Sequence, residues 1–431
     1  MINKQKQLLI NYFKNEEKAQ KDFLLGMEIE HLVVDRDNLQ ATSFFAPGGI
    51  EDLLVKLAET EKGWSRVYEQ EHLVGLNRDS MSITLEPGGQ LEISLAPRHT
   101  MSEVDELYCS FLDQFSPLLE RENKVLLNLG YQPVSRIEEI PLLPKKRYRH
   151  MYDYFKTKGQ YAHNMMKGTA SVHVSLDYKS ETDFARKCRV ASFLAPIIYI
   201  MFDNSPFFEG EIYPDPGLRA TIWANCDRER CGPLPGVFEG EYGYSRYADY
   251  MLDIPPILWK DNEKLKYTGS TPLKDIMIPE QMNRQQIEHI LTMVFPEIRI
   301  KNCLEIRVAD SLPYPYNMGY LSFWQGIMYN PDLLQRIDRE IKKYSVQEII
   351  QLRKQIMSIG LQARINNKNI FDYFEILMSR ARKNLPADSR TYLDQLIRLF
   401  SSRQNMRQQI LTDLSRGKKR ALQWCMVKEV D

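Results

Sequence analysis

Three short segments of this chain set glutamates among apolar residues: GMEIE at residues 26–30, LEPGGQLEI at 85–93 and CLEIRVAD at 303–310. A plain core strand would carry Val or Ile at those positions. In an extended strand, residues two apart point to the same face. Glu28 and Glu30 therefore project together, and so do Glu305 and Arg307. Glu86 and Glu92 flank Pro87-Gly88-Gly89, which predicts a tight turn with Pro at its second position and Gly at its third. Burying an unpaired carboxylate is costly. A chain that does so repeatedly neutralises the charge with something. Hard cations such as Mg²⁺, held by carboxylates and substrate phosphates, are the natural candidate. The alternative is a Glu-x-Glu on a solvated strand face. The flanking Leu24, Leu25, Met27, Ile29, Leu32 and Val33 argue for burial instead.

Positioning these residues requires strands. The spacing predicts strands over 23–35, 66–76, 80–85, 90–95, 169–178 and 298–309. In the segment 169–178, Val172, Val174 and Leu176 face one way, while Ser171, His173, Ser175 and Asp177 face the other. Helices are predicted over 1–20, 50–62, 101–129 (stopped by Gly130) and 183–203. From Pro331 onward the pattern is helical with no strand signal. Most strands connect by hairpins or long excursions rather than by regular strand–helix alternation. That favours an antiparallel α+β sheet over a doubly wound parallel one.

The chain has 431 residues, 43% hydrophobic and 26% charged, an ordinary globular balance. Lys plus Arg and Asp plus Glu number 57 each, so nothing argues for a nucleic-acid partner or an anionic membrane partner. The N-terminus lacks an apolar signal core, and the longest apolar stretch, near 190–202, is too short to span a bilayer. A cytoplasmic location is expected. The six cysteines have irregular spacing, with no set completing a zinc site, and read as reduced structural thiols. The basic run 416–420 reads as a solvated face or frayed end. There is no dinucleotide-binding glycine fingerprint and no Walker P-loop. Bound phosphates would have to be held by metal ions and Arg or Lys side chains.

The chain resembles the plant-type glutamate–cysteine ligases, within the wider glutamate–cysteine ligase family. The resemblance is carried by TLEPGGQLEISLAP (84–97), GYQPVSRIEEIPLLPKKRY (130–148), NMMKGTASVHVSLDY (164–178), FDNSPFFEG (202–210), RATIWANCDRERCG (219–232) and LEIRVAD (304–310). It spans residues 20 to 330. It implies a curved antiparallel sheet funnel flanked by helices, like that of glutamine synthetase and the guanido kinases. It also implies a catalytic domain over 1–330 with a helical C-terminal region, 331–431, packed on it.

The implied activity is the joining of L-glutamate to an amine, most naturally L-cysteine, with ATP as co-substrate and Mg²⁺ or Mn²⁺ as cofactor. A carboxylate and an amine do not condense in water, so ATP would first convert the γ-carboxylate to an acyl phosphate. Phosphoryl transfer then demands neutralisation of the triphosphate. The resemblance assigns Glu28, Glu30, Glu86, Glu92 and Glu305 as metal ligands. Arg307 would brace the transferred phosphoryl group. Arg219 would contact phosphates or a substrate carboxylate, against the alternative of a surface salt bridge. Planar guanidinium suits both roles. His173 would line the site near a phosphate or nucleotide, and Trp223 would wall a substrate pocket.

The chain departs from the plant pattern at Gly168 (commonly Arg), His173 (commonly Gln), Ser311 and Leu312 (commonly Gly), and Ala224-Asn225-Cys226. The metal and phosphate half of the site is kept, and the pocket half is altered. Three readings follow: glutamate–cysteine ligase, the same mechanism with another amine acceptor, or a non-catalytic Mg·ATP-binding homologue. The partners are small molecules, with a monomer or homodimer expected.

Overall fold

The computed structural model describes residues 1–261 and 264–427. Among them, one large sheet is built from nine strands: β1 (Leu25–Asp35), β2 (Ser65–Glu69), β3 (His72–Arg78), β4 (Met81–Leu85), β5 (Leu91–Arg98), β6 (Lys124–Leu127), β7 (Val172–Leu176), β8 (Ile298–Ile300) and β9 (Leu304–Ile306). The order across it is β8-β9-β7-β1-β5-β4-β3-β2, with β6 pairing the end of β1. Every pairing in it is antiparallel. This is the α+β antiparallel architecture the connections predict.

Strand period explains its two faces. Met27, Ile29, His31 and Val33 point away from Glu28 and Glu30, and Ile29 and His31 sit opposite Ile93 and Leu91 of β5. The helix Met101–Arg121 covers this apolar face. Its Tyr108 hydroxyl lies 2.9 Å from His31 Nε2. Leu53, Leu54 and Leu57 of helix Ile50–Thr60 join the same core. The helix Met101–Arg121 starts at Thr100 with a reciprocal capping box to Glu103. The opposite face, carrying the glutamates, is left as the wall of a cavity.

Several predicted elements end differently, and the helix predicted over 1–20 stops at Asn15. The helix predicted over 101–129 stops at Arg121. Asn123 takes a left-handed φ of 52°, which Asn tolerates, and β6 follows to pair with residues 32–35 of β1. The run Val125-Leu126-Leu127 fits either period, and the free edge of β1 decides it. The strand predicted over 298–309 folds into a hairpin at Lys301-Asn302-Cys303, closed by Lys301 N–H donating to the Cys303 carbonyl at 2.9 Å. The strand predicted over 66–76 is likewise a hairpin, β2–β3, turning at Gln70 with φ 56°.

The Pro-Gly-Gly turn forms. Gly89 N–H donates to the Glu86 carbonyl at 2.8 Å, and Glu86 N–H to the Gln90 carbonyl at 2.9 Å. The positive φ, +85°, falls on Gly89 rather than on the third position, as in a three-residue hairpin with a bulge. Gly88 serves another need. A Cβ there would lie 2.3 Å from the Lys167 carbonyl oxygen.

Beyond Pro331 the chain is helical, from Pro331–Ile341 through Met406–Asp413, apart from one two-residue hairpin, Arg364–Ile365 with Lys368–Asn369. That hairpin turns on Asn366 and Asn367, at φ 50° and 62°, a conformation Asn adopts readily. Leu333, Ile337, Phe374 and Leu393 are buried in the same apolar cluster as the sheet. Residues 428–431 of the predicted tail lie outside the described residues. In the basic run, Lys418 Nζ donates to the Gly210 carbonyl and Lys419 pairs with Asp37. No described helix is long and apolar enough to cross a membrane, and the six cysteines are unpaired.

Candidate active site

Strand register assembles the site. Glu30 on β1 sits directly opposite Glu92 on β5, and Glu92 opposite Thr84 on β4. Glu28 sits opposite His173 on β7. Ser175, two residues on from His173, is opposite Glu305 on β9, and Glu305 is opposite Arg299 on β8. All of these share one face of the sheet. Like charges directly opposite one another repel, so the Glu30–Glu92 pair calls for a compensating partner.

Hydrogen bonds hold the carboxylates in place. Glu30 Oε2 accepts from the Ser171 backbone N–H at 2.7 Å and lies 3.0 Å from Ser171 Oγ. Ser171 Oγ is in turn 2.8 Å from His173 Nε2, and His173 Nδ1 is 3.1 Å from Glu28 Oε2. Ser171 has one hydroxyl proton to give, so it serves either Glu30 or His173 as donor, not both. The imidazole is 2% exposed, and both its nitrogens are engaged within the protein. Burial, reinforced by Arg307, pushes its pKa down to about 4, so it is the neutral ring that orients Glu28. Glu92 Oε1 accepts from Thr84 Oγ1 at 2.7 Å. Tyr148 Oη reaches Glu86 at 3.4 Å.

Electrostatics separate the glutamates. Burial, with Glu86 beside it, pushes the Glu30 carboxyl up to about 7 against the pull of Arg219 and Arg307. Burial and then Glu28, Glu86 and Glu30 push Glu92 well above the usual carboxylate range. Burial would raise Glu28 too, but Lys301 and His173 hold it down to about 2. Glu305 is 0% exposed. It pairs with Arg299 at 2.6 Å, Lys301 at 2.6 Å and Arg307 at 3.0 Å. These three cations overcome burial and hold it well below the usual range.

A cavity of about 350 Å³ opens over this face, within the range of roughly 300–1,000 Å³ usual for small-molecule sites. Glu28, Glu30, Glu86 and Glu92 line it together with His173, Trp223 and Arg307. Glu305 and Arg219 do not; both sit behind its wall. Arg219 is 2% exposed, and its guanidinium donates to the carbonyls of Val308 at 3.0 Å and Arg307 at 3.2 Å. The surface salt bridge is therefore excluded: Arg219 is buried and braces the backbone that carries Arg307. It also lies 5.7 Å from the Trp223 ring centroid. Arg307 extends from the end of β9, its N–H donating to the Glu297 carbonyl, while the Glu297 carboxylate pairs with Arg353 of helix Val346–Ile359.

The donor set suits a hard cation. One oxygen each from Glu28 and Glu92 and one nitrogen of His173 lie within 4.8 Å of one another. Carboxylate oxygens are what Mg²⁺ takes. Raised carboxyls at Glu30 and Glu92 mark a cluster whose repulsion the protein itself only partly compensates. Trp223 Nε1 and Arg219 Nε are buried with no partner.

Sequence reasoning passed over several residues here. Arg299 and Lys301, which neutralise Glu305, precede it by six and four residues. Only the hairpin brings them back. Ser171 and Thr84 are strand residues of unremarkable type. Lys145 and Arg147, in the quoted run PKKRY, also line the cavity, as do Met151, Met165, Met166 and Phe295.

Comparison with known proteins places the chain. The profile of glutamate–cysteine ligase family 2 matches residues 24–376. Glutamate–cysteine ligase A, chloroplastic, of Oryza sativa subsp. japonica is 33% identical over 387 residues, covering 88% of this chain and 78% of the relative. The chloroplastic enzyme of Arabidopsis thaliana is 33% identical over 384 residues, covering 88% and 73%. The solved structure of glutamate–cysteine ligase from Francisella tularensis, in complex with AMP, superposes with TM-score 0.61 over 95% of this chain and 88% of that one, at 14% identity. The match covers all six segments that carry the sequence resemblance, and the chain belongs to glutamate–cysteine ligase family 2, a family of ligase enzymes.

Proposed function

We propose that this chain joins L-glutamate to L-cysteine at the expense of ATP, forming γ-glutamylcysteine, ADP and phosphate, the first step toward a glutathione-type thiol. The observation that carries the reading is the row Glu28, Glu30, Glu86 and Glu92 on one cavity wall beside Arg307. Glu28, Glu30, Glu86 and Glu92 would hold Mg²⁺. Bound there, the ion would offset the triphosphate charge and the charge moving during phosphoryl transfer. A γ-carboxylate oxygen of glutamate attacks the γ-phosphorus of ATP and ADP leaves. The acceptor amine then attacks the acyl carbon, the C–O bond to phosphate breaks, and the amine gives up its proton.

The protein's part is placement and charge. Arg307 presents a fork to the transferred phosphoryl oxygens, and Arg219 fixes the Arg307 backbone from behind. His173 holds Glu28 in orientation. Glu305, expected as a further ligand, aligns Arg299, Lys301 and Arg307. It would reach an ion only by giving up one of them. The apolar wall of Met151, Met165, Met166, Trp223 and Phe295 suits a small acceptor side chain such as a thiol-bearing methylene, and methionine sulfur is polarizable.

The test is product analysis. Purified protein is given ATP, Mg²⁺, glutamate and a panel of amines, with ADP release and product mass recorded. A γ-glutamyl amide with cysteine as the best acceptor supports the reading. A better acceptor from the panel replaces cysteine but keeps the mechanism. ATP bound with no γ-glutamyl product from any amine overturns it. The cytoplasmic location belongs to the same proposal and is checked by cell fractionation.

A further inference from the structure

Away from the candidate active site, a separate cavity of about 180 Å³ lies between helix Glu181–Met201, the segment 233–239 and helix Val346–Ile359. It shares no lining residue with the carboxylate-lined cavity. Its walls are apolar: Phe193, Pro196, Leu234, Val237 and Ile349 line it, and all five are buried. Ile350 lines it too and is 38% exposed, so the cavity opens to solvent on that side. Two charged residues complete the wall, Glu239 and Arg353. Arg353 is already paired with the Glu297 carboxylate.

Residue 192 is the polar point of the wall. Ser192 is 5% exposed, and its Oγ is buried with no hydrogen-bond partner. Pro196, four residues on in the same helix, has no N–H to give the Ser192 carbonyl. One residue thus keeps a hydroxyl without a partner and a carbonyl without its usual helical donor. Leaving buried polar groups so is costly, and a ligand that bonds them offsets the cost.

Size and charge narrow the occupant. A cavity of about 150 Å³ lined by Leu, Ile and Phe is enough to hold benzene, so this one takes a single ring with a small substituent. The apolar walls disfavour a charged occupant. Glu239 repels an anion, and Arg353 has its partner.

We propose that this cavity binds a neutral, ring-sized apolar molecule bearing one hydroxyl or N–H group, which hydrogen-bonds Ser192. The ring lies against the apolar walls, and the Ser192 hydroxyl can donate or accept. A ligand there also rests beside Arg353. Arg353 holds Glu297, whose carbonyl accepts the Arg307 N–H at 3.0 Å. The cavity is thus separate from the candidate active site yet in touch with what supports it.

The probes are phenol, benzene and benzoate, titrated calorimetrically into the full chain, with melting temperatures recorded for the parent, Ser192→Ala and Ile350→Trp. Phenol should bind at one site with a Kd of about 0.1–1 mM, as suits so few heavy atoms. It should bind about 3- to 10-fold more tightly than benzene, the gain of one hydrogen bond, and benzoate more weakly than either. Ser192→Ala should bring phenol down to the level of benzene and leave benzene within about twofold. Ile350→Trp, placed at the open side, should block both while melting like the parent. Saturating ATP, Mg²⁺ and glutamate should not displace phenol. No binding by the parent overturns the proposal. So does phenol no tighter than benzene, or phenol affinity unchanged by Ser192→Ala. Displacement by the nucleotide mixture would move the binding to the other cavity and overturn it as well. Should Ile350→Trp fail to fold, Ser192→Ala alone decides, since Ala suits a helix interior. None of these readouts requires ligation, so a parent that makes no γ-glutamyl product leaves them intact.

Discussion

Glu92, half-buried at the cavity wall, and Glu305, fully buried, lie on strands of one sheet and point to the same face. Their surroundings are opposite. Glu92 faces Glu30 across the β1–β5 ladder, with Glu28 and Glu86 near, and its one close donor is the Thr84 hydroxyl. Glu305 meets Arg299, Lys301 and Arg307. The first cluster is left with excess negative charge on a cavity wall; the second is neutralised by its own hairpin and closed off behind that wall. A buried carboxylate by itself is therefore ambiguous. One that lacks a cation within the protein invites one from solution, whereas one surrounded by cations acts as a support. Here the support fixes Arg307, which does reach the cavity.

The comparison can be broken in several ways. The largest effect should come from removing divalent metal. Exhaustive chelation should lower ligation by about 1,000-fold or more, since side-chain cations alone would not match a metal ion in offsetting the triphosphate. Full activity in chelator would end the metal reading of the first cluster.

Next is a pair of charge deletions. Glu30→Gln should lower kcat by at least about 100-fold while leaving the protein as stable as before, because repulsion with Glu92 is relieved. Glu305→Gln should also lower kcat, but through loss of stability and misplacement of Arg307. It strands buried Arg299 together with half-buried Lys301 and Arg307, and breaking a fully buried pair costs about 3–5 kcal/mol, the upper bound here. Melting curves beside kinetics distinguish the two. If Glu305→Gln melts like the parent, Glu305 is not the support described here.

Arg307→Lys keeps the charge and loses the fork. We expect kcat to fall about 10- to 1,000-fold with little change in melting temperature, as Arg299 and Lys301 still hold Glu305. A change of under threefold in kcat with a lower melting temperature would make Arg307 a sheet brace only.

The smallest effect is on pH. Glu30 in the folded protein is raised to about 7 by burial and then by Glu86, above the ordinary carboxylate value it has when unfolded. The metal-free folded state thus holds more protons between those values, and its stability falls as pH rises from about 4.5 to about 7. Melting temperature without metal should decline across that window. Saturating Mg²⁺ should flatten the decline and raise the melting temperature at pH 8. A metal-free melting temperature that rises over the same window would contradict the assignment at Glu30.

Much of this was legible in the chain. Glu28 and Glu30 share a face because strand period is local. The Pro-Gly-Gly turn is local too, and it returns Glu92 toward Glu30. The run 124–127 and the segment 298–309 were less legible, since short apolar stretches fit more than one element and their pairing partners lie far away. Arg219 illustrates the limit within one motif. Its type suggested an anion contact, but its depth and its bonds to the carbonyls of Arg307 and Val308 come from helix Leu218–Ala224 lying beside the segment that leaves β9.

By itself, then, the sequence determined the residue types, the strand faces, the turn and the family, because these depend on neighbours along the chain. Tertiary structure decided which charges are neutralised. Coulomb interactions depend on distance and burial rather than sequence separation. Arg299 reaches Glu305 only across a hairpin, and His173 reaches Glu28 only across a ladder 145 residues away in sequence.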